Sequence, residues 1–366
     1  MNLSFSREQI LIPLQHVIGA VEKRQTVPIL ANVLFREEQG ALQIVATDLE
    51  IELKVQTDIP CSEPIHTTVP ARKLLDISKN LPDEATIKAS IKEDRVTLTS
   101  GRSRFVLASL PGSDFPALEK ITAETSFEVP QKDLRSLIER TAFAMAQQDV
   151  RYYLNGLLLE SKGQLLRTVA TDGHRLALAD AEMSDALPEG KQIIVPRKGI
   201  LELQRLLEDS ESPATVKISS NHISVELPNL QFTSKLIDGR FPDYERVMAT
   251  GGDKLILADR QILRQSLTRT SVLSNEKYRG VQFTAESGTL RVQTQNPDKE
   301  EAEDEVEIEY TGESLTVAFN VNYLLDALNA LTSEKVQLIL KDEVSSCVLQ
   351  DQNSELCKYV IMPMRL

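Results

Sequence analysis

One pattern occurs three times along this chain, and no other feature limits its fold as strongly. The segment Val69–Leu81 recurs as Val195–Leu207 and, more loosely, as Phe319–Leu331. A second marker, Gly40–Asp48, recurs as Gly163–Asp172 and Gly288–Asn296, and the last residues of the three copies stand 124 apart. Two markers with nearly one period leave coincidence a poor explanation. The period is far longer than the roughly 20–50 residues of solenoid turns, so the repeating unit is a domain. Joints fall near Ala123–Thr125 and Thr250–Asp253, where Gly251-Gly252 offers a flexible step. The expected modules are 1–124, 125–250 and 251–366.

Each copy reads alike. A helix opens it, predicted at Arg7–Val17, Gln131–Met145 and Arg260–Leu273, with apolar residues three and four apart. In the second copy these are Leu134, Leu137, Ile138, Thr141 and Ala142. Alternating strands follow, such as Leu42, Ile44 and Ala46 facing inward against Gln43 and Val45. The helix of the repeated segment comes next, started near Pro70 or Pro196. More strands close the module, giving an α+β fold class.

Several chemistries find no support. Hydrophobic residues at 41% and charged residues at 26% allow ordinary cores. The absence of Trp, with aromatics at 5%, argues against stacking platforms for single strands. Met1–Glu8 lacks a signal peptide's basic start and apolar run, and no stretch reaches the roughly 18 apolar residues of a membrane span. A cytoplasmic protein with no membrane partner is expected. Cys61, Cys347 and Cys357 are odd in number and lack C-x-x-C spacing, as reduced thiols would. No glycine-rich phosphate loop occurs, and none of His16, His66, His174 and His222 is paired at i, i+4, so neither cofactor nor metal is expected. Thr171-Asp172-Gly173-His174-Arg175 looks catalytic, but the first copy carries Thr47-Asp48-Leu49-Glu50 there, which makes Asp172 a turn residue. The chain reads as a non-enzyme, with a hydrolase built on Asp172 and His174 as a rival.

The net charge of −13 is uneven: Asp298–Glu309 holds eight acids against Lys299. Basic residues gather on the repeated helices, where Arg72, Lys73 and Lys79 align with Arg197, Lys198 and Arg205. They flank Leu74, Leu75 and Ile77, or Ile200, Leu201 and Leu203, which are expected in the core. The opening helices add Arg7, then Lys132, Arg135 and Arg140, then Arg260, Arg264 and Arg269, whereas Asn320–Leu331 carries no cation. These are either solvated faces of a protein-only scaffold or one cationic surface. Such a surface attracts phosphate without reading bases. Contacts of that kind are weak, with dissociation constants of roughly 10⁻⁴–10⁻⁶ M, so lasting retention on DNA would need enclosure.

The chain resembles the bacterial sliding clamps, the β subunits of DNA polymerase III. The resemblance runs from Met1 to Leu366 and is carried by Thr26–Leu30, Val69–Lys73, Gly101–Phe105, Gln148–Gly156, Val169–Leu176, Asp238–Tyr244, Leu273–Lys277 and Met362–Leu366. It implies three tandem clamp domains, each with two helices packed on antiparallel sheets, and a head-to-tail homodimeric ring around double-stranded DNA. It also implies loading by a clamp-loader ATPase and tethering of replicative and other DNA polymerases, mismatch-repair proteins and ligase through short peptides.

The resemblance further implies three sites. A peptide pocket between the second and third domains would use Leu154, Thr171, Gly173, His174, Arg175, Leu176, Pro242, Arg246 and Val247 with Asn320, Tyr323, Val344, Ser346, Val360, Met362, Pro363, Met364 and Arg365. DNA contacts would involve Arg24, Arg72, Lys73, Gln148, Arg151, Tyr152, Tyr153, Arg197, Lys198 and Arg205. The dimer contact would set Lys73, Ile77, Arg95, Arg102, Arg104, Phe105 and Leu107 against Val272, Leu273, Glu300, Glu301, Glu303 and Asp304 of another copy. Gln147, Glu245 and Met248–Gly252 depart from the family pattern.

Overall fold

The period of the sequence is visible as a shared order of elements. A computed structural model describes residues 2–22, 27–92, 94–116, 118, 122–184, 187–188, 190–248 and 252–365. Among the described residues the α-helices are α1 Arg7–Val17, α2 Ala71–Asn80, α3 Gln131–Thr141, α4 Arg197–Leu206, α5 Tyr244–Met248, α6 Arg260–Thr270 and α7 Val321–Ala330. Helices α1, α3 and α6 open the repeats, while α2, α4 and α7 are the repeated segment. In α1 the start is a reciprocal cap: Gln9 N donates to Ser6 Oγ (3.2 Å) and Ser6 N to Gln9 Oε1 (2.8 Å).

Several expectations need correction. The repeated helices begin at Ala71, Arg197 and Val321, so Arg72 matches Lys198 and Asn322, one residue off the alignment by charge. Helix phase decides this, because Leu74, Ile200 and Leu324 are the anchors one turn in. Leu74 and Leu324 are buried, as is Ile200. Leu201 was expected in the core and is 45% exposed, since the buried stripe of α4 runs through Ile200, Leu203 and Leu206. Helices α3 and α6 stop at Thr141 and Thr270, and single 3-10 turns, Ala142–Ala144 and Ser271–Leu273, follow. At both ends a threonine hydroxyl turns back onto the carbonyl four residues earlier, Thr141 to Leu137 (2.7 Å) and Thr270 to Ser266 (3.0 Å).

All registered strand pairs are antiparallel, in sheets of four, eight and twelve strands. Strand Ala41–Thr47 buries Leu42, Ile44 and Ala46 as expected, but Val45 is buried too, against Ile29, Leu30, Leu34 and Phe115. Two seams join repeats by backbone hydrogen bonding. Strand Ile51–Pro60 pairs with Leu230–Lys235 (Leu53 opposite Phe232), and strand Arg175–Glu182 pairs with Cys357–Ile361 (Leu176 opposite Val360). The compact units accordingly cut through the second repeat: residues 1–131 with 201–236, and 132–200 with 237–366.

The acidic run lies on a strand, Glu301–Glu309, in which exposed Glu301, Glu303, Glu305, Glu307 and Glu309 alternate with buried Val306 and Ile308. A two-residue period lets one face be fully charged while the other reaches the core. One edge of this strand pairs along its length with Thr289–Gln295; the other pairs only through Ile308 and Glu309 with Ala258 and Leu257.

Candidate functional site

The turn after strand Leu165–Thr171 shows what Asp172 does. Thr171 Oγ1 donates to Arg175 O (2.6 Å) and accepts from Gly173 N (3.1 Å). Asp172 Oδ1 accepts from His174 N (2.9 Å) and Arg175 N (3.0 Å), and Oδ2 accepts from Arg175 Nε (3.1 Å). The first repeat builds the same turn: Thr47 Oγ1 donates to Ile51 O (2.8 Å), and Asp48 Oδ1 accepts from Glu50 N (2.9 Å) and Ile51 N (2.8 Å). Such side-chain acceptors hold a turn that no ladder satisfies. Both oxygens of Asp172 are engaged in this way, with the turn backbone and the Arg175 guanidinium and not with the His174 ring that the hydrolase reading would have it orient. Gly173 adopts φ +89°, where L side chains are strained, and a Cβ there would lie 3.0 Å from the Arg151 guanidinium.

Beside this turn is a cavity of about 180 Å³. Of the expected pocket residues, Leu154, Thr171, Gly173, Arg175, Leu176, Pro242, Val247, Val360 and Met362 line it. Leu176 of its lining packs in one cluster with Ile194, Leu158, Val169 and Leu178, which stand opposite one another on four adjacent strands. Phe241, Val348 and Val360 pack with them. Arg175 is fixed by three hydrogen bonds, to Asp172, to Asp326 (2.5 Å) and to Phe143 O (2.6 Å), and lies 4.5 Å over the Tyr323 ring. Tyr323 therefore relates to the cavity through Arg175. An apolar slot with a few fixed donors at its mouth suits apolar side chains of an extended peptide, and a flexible methionine adapts to several.

Three lining residues lie outside the expected pocket set. The resemblance places Arg151 and Tyr153 at DNA, and Tyr244 stands in neither expected set. Arg151 is clamped by Asp149 (Nε–Oδ1 3.0 Å, Nη2–Oδ2 2.8 Å), whose carboxyl is held down to about 2 by those hydrogen bonds. Its charge is thus largely answered within the chain. No periodicity marks Tyr244, because α5 is too short to show one.

The other expected pocket residues are placed nearby or elsewhere. His174 is exposed, and its carbonyl accepts from Met362 N (2.9 Å). Arg246 is exposed and paired with Asp243 (2.8 Å). Asn320 caps α7 by accepting from Asn322 N (2.9 Å); Val344 is exposed, Ser346 buried and Pro363 half-buried. Met364 and Arg365 line a different cavity, of about 620 Å³, with Tyr278, Gln293 and Glu303.

Of the expected DNA residues, Arg72, Lys73, Gln148, Arg151, Tyr152, Lys198 and Arg205 are exposed. Arg205 donates to Gln15 O (3.0 Å) and His16 O at the end of α1 and pairs with Glu202, while Arg197 is half-buried and donates to Met145 O (3.2 Å). Arg24 lies outside the described residues.

Of the two expected interface faces, the basic one is a sheet edge and the acidic one includes a strand whose second side is paired only at Ile308 and Glu309. Strand Ser103–Ala108 is the outermost of the four-stranded sheet, with Arg102 and Arg104 exposed, Phe105 half-buried and Leu107 buried. Arg95 on the next strand is exposed, and Ile77 on α2 is half-buried. On the acidic face Val272 is 77% exposed and Leu273 half-buried, while Glu300, Glu301 and Glu303 are exposed. Asp304 is half-buried on the opposite face of the strand, where Arg269 Nε binds it at 3.0 Å, while Glu303 Oε1 lies 3.6 Å from Arg291 Nε. Among the described residues no cluster of His, Cys, Asp or Glu is arranged for a metal, and no helix is long and apolar enough to cross a membrane.

Known proteins match the chain throughout. Residues 1–119, 128–243 and 245–365 match the N-terminal, central and C-terminal domains of the DNA polymerase III beta subunit. The beta sliding clamp of Pseudomonas putida is 50% identical over 368 residues, covering 100% of both chains, and that of Escherichia coli K12 is 46% identical over 367, also covering 100% of both. A crystal structure of the DNA polymerase sliding clamp from Pseudomonas aeruginosa superposes with a TM-score of 0.96 at 48% identity. A second, bound to griselimycin, gives 0.95 at 49%. Both comparisons cover 100% of each chain.

Proposed function

The chain belongs to the DNA polymerase III beta subunit family, and on that premise we propose that it is a DNA sliding clamp without catalytic activity. Three modules bounded near residues 124 and 250 make one half of a ring; a second copy, docked head to tail, closes it around duplex DNA. Retention comes from enclosure, and Arg72, Lys73 and Lys198 supply sequence-independent attraction to phosphate. The edges offered for closure differ in charge: Arg95, Arg102 and Arg104 on one, Glu300, Glu301 and Glu303 on the other. Strand addition with opposite charges favours head-to-tail over head-to-head pairing. A clamp-loading ATPase opens the ring in a cytoplasmic setting. Polymerases, mismatch-repair proteins and ligase attach through short peptides whose apolar side chains enter the cavity between Leu176, Val360 and Met362; griselimycin, which a Pseudomonas aeruginosa clamp binds, should enter the same cavity.

The observation that carries this reading is the full-length match at 50% identity together with the apolar cavity beside the Asp172 turn. The test is retention. After loading, the protein should remain on a closed circular duplex and leave a linear one within minutes, because free ends let a ring slide off. Equal retention on both would favour a protein-only scaffold or an ordinary binder.

A further inference from the structure

Tyr244 borders the pocket, yet its polar end points into a separate arrangement. Its hydroxyl donates to Glu160 Oε2 and accepts from Arg167 Nη1 (3.3 Å). Arg167 in turn grips Asp180 with two parallel bonds, Nε–Oδ1 at 2.7 Å and Nη2–Oδ2 at 2.8 Å. Gln192 Nε2 donates to Glu160 Oε1 (2.8 Å).

These four residues are not scattered. Gln192 stands opposite Glu160, Glu160 opposite Arg167, and Arg167 opposite Asp180, so they form one row across four adjacent strands. The row lies two residues along from Ile194, Leu158, Val169 and Leu178, hence on the same sheet face as these and as Leu176 of the cavity lining. A charged row with its hydrogen bonds filled is a rigid seat, and a bidentate arginine–carboxylate pair adds fixed geometry.

The other repeats contain the same row. In the first, His66, Arg36, Gln43 and Gln56 stand opposite one another, with Arg36 donating to Gln43 (2.8 Å). In the third, Thr316, Thr284, Arg291 and Glu305 do so. The row belongs to the module; the tyrosine seated on it is a feature of the second copy.

We infer that Tyr244 is a positioning residue of the pocket, fixed by the Gln192–Glu160–Arg167–Asp180 row, and that this row sets how tightly the cavity holds its ligand. The inference rests on the pocket reading above. Tyr244 is the first residue of α5, which also carries Val247 of the cavity wall. Anchoring its hydroxyl fixes both the ring and the helix before a ligand arrives, so binding need not order them.

The test uses the full-length protein with griselimycin as probe, measuring Kd and thermal midpoint together. Tyr244→Phe keeps the ring and removes the hydroxyl; it should weaken binding about tenfold, the effect of losing one or two buried hydrogen bonds. Arg167→Met should match it, while Glu160→Gln, which keeps an acceptor, should stay near wild type. Arg36→Met disrupts the equivalent row in the first repeat and should lower the midpoint with Kd unchanged. A Tyr244→Phe protein that binds within twofold of wild type would overturn the inference, as would an Arg36→Met protein weakened as much as Arg167→Met. If wild type itself fails to bind griselimycin, the pocket reading falls and takes the inference with it.

Discussion

The turns at Asp48 and Asp172 are made by the same hydrogen bonds, yet only one of them borders the candidate pocket. In the first repeat the left-handed position is Leu49 at φ +76°, and the strand that follows pairs with Leu230–Lys235. In the second it is Gly173 at φ +89°, and the strand that follows pairs with Cys357–Ile361, which brings Val360 and Met362 to the cavity. Repetition supplied the scaffold twice. What differs is the neighbour across the seam and the removal of one side chain, and the cavity lies beside the turn that has both.

The strongest challenge to this comparison is to delete the two aspartates. Asp172→Ala and Asp48→Ala each strip two backbone N–H groups of a charged acceptor, so each should cost about 2–3 kcal/mol in denaturant unfolding. Only Asp172→Ala should also abolish griselimycin binding, since Arg175 loses a partner as well. Equal effects on binding would mean that the turns are not functionally distinct.

Exchange at the left-handed position should have smaller consequences. Gly173→Ala places a Cβ against Arg151 at positive φ and should destabilise by about 1–3 kcal/mol. Leu49→Gly relieves the same strain in the first repeat and should stabilise, by up to about 1 kcal/mol after the added freedom of the unfolded chain is counted. A calorimeter decides both. The signs should be opposite.

The basic helices extend the contrast. Arg72 and Arg205 are both exposed, but the Arg205 guanidinium is bound to the end of α1. Arg72→Ala should reduce the slope of log affinity against log salt for DNA by about 0.9, the value of one phosphate contact. Arg205→Ala should leave that slope nearer wild type and lower stability instead. The reverse pattern would reassign both residues.

The smallest expected effect concerns acid. Asp149, held at about 2 by Arg151, lies below its ordinary value of 3.8. A depressed carboxyl contributes stability that is present above the unfolded value and lost as pH falls through the folded one. The Arg151–Asp149 clamp should therefore persist at pH 4.5 and release only near pH 2. Carbon-detected NMR of the Asp149 carboxyl, with a midpoint near 4, would contradict the clamp.

Much of this was legible in the residues. Helix positions followed from apolar spacing, and the Asp172 turn followed from its copy at Asp48. Charge was a poorer guide. Aligning Arg72 with Arg197 by sign missed the helix phase by one residue, and counting acids could not separate Asp304, engaged by Arg269, from exposed Glu301. Arg151 and Tyr153, which the resemblance places at DNA, also line the cavity, and that was not legible because sequence shows a residue's type and not the direction of its side chain.

By itself the sequence determined the period, the elements within each repeat and the family, because local propensity and apolar spacing act over a few residues and leave a record in order. Tertiary structure alone decided which strands meet at the seams, that Tyr244 rests on a polar row, and which cations remain exposed. Those outcomes depend on contacts between residues as much as 190 positions apart, as for Arg205 and Gln15, and the packing of the two partners settles such a contact where neither stretch of sequence can.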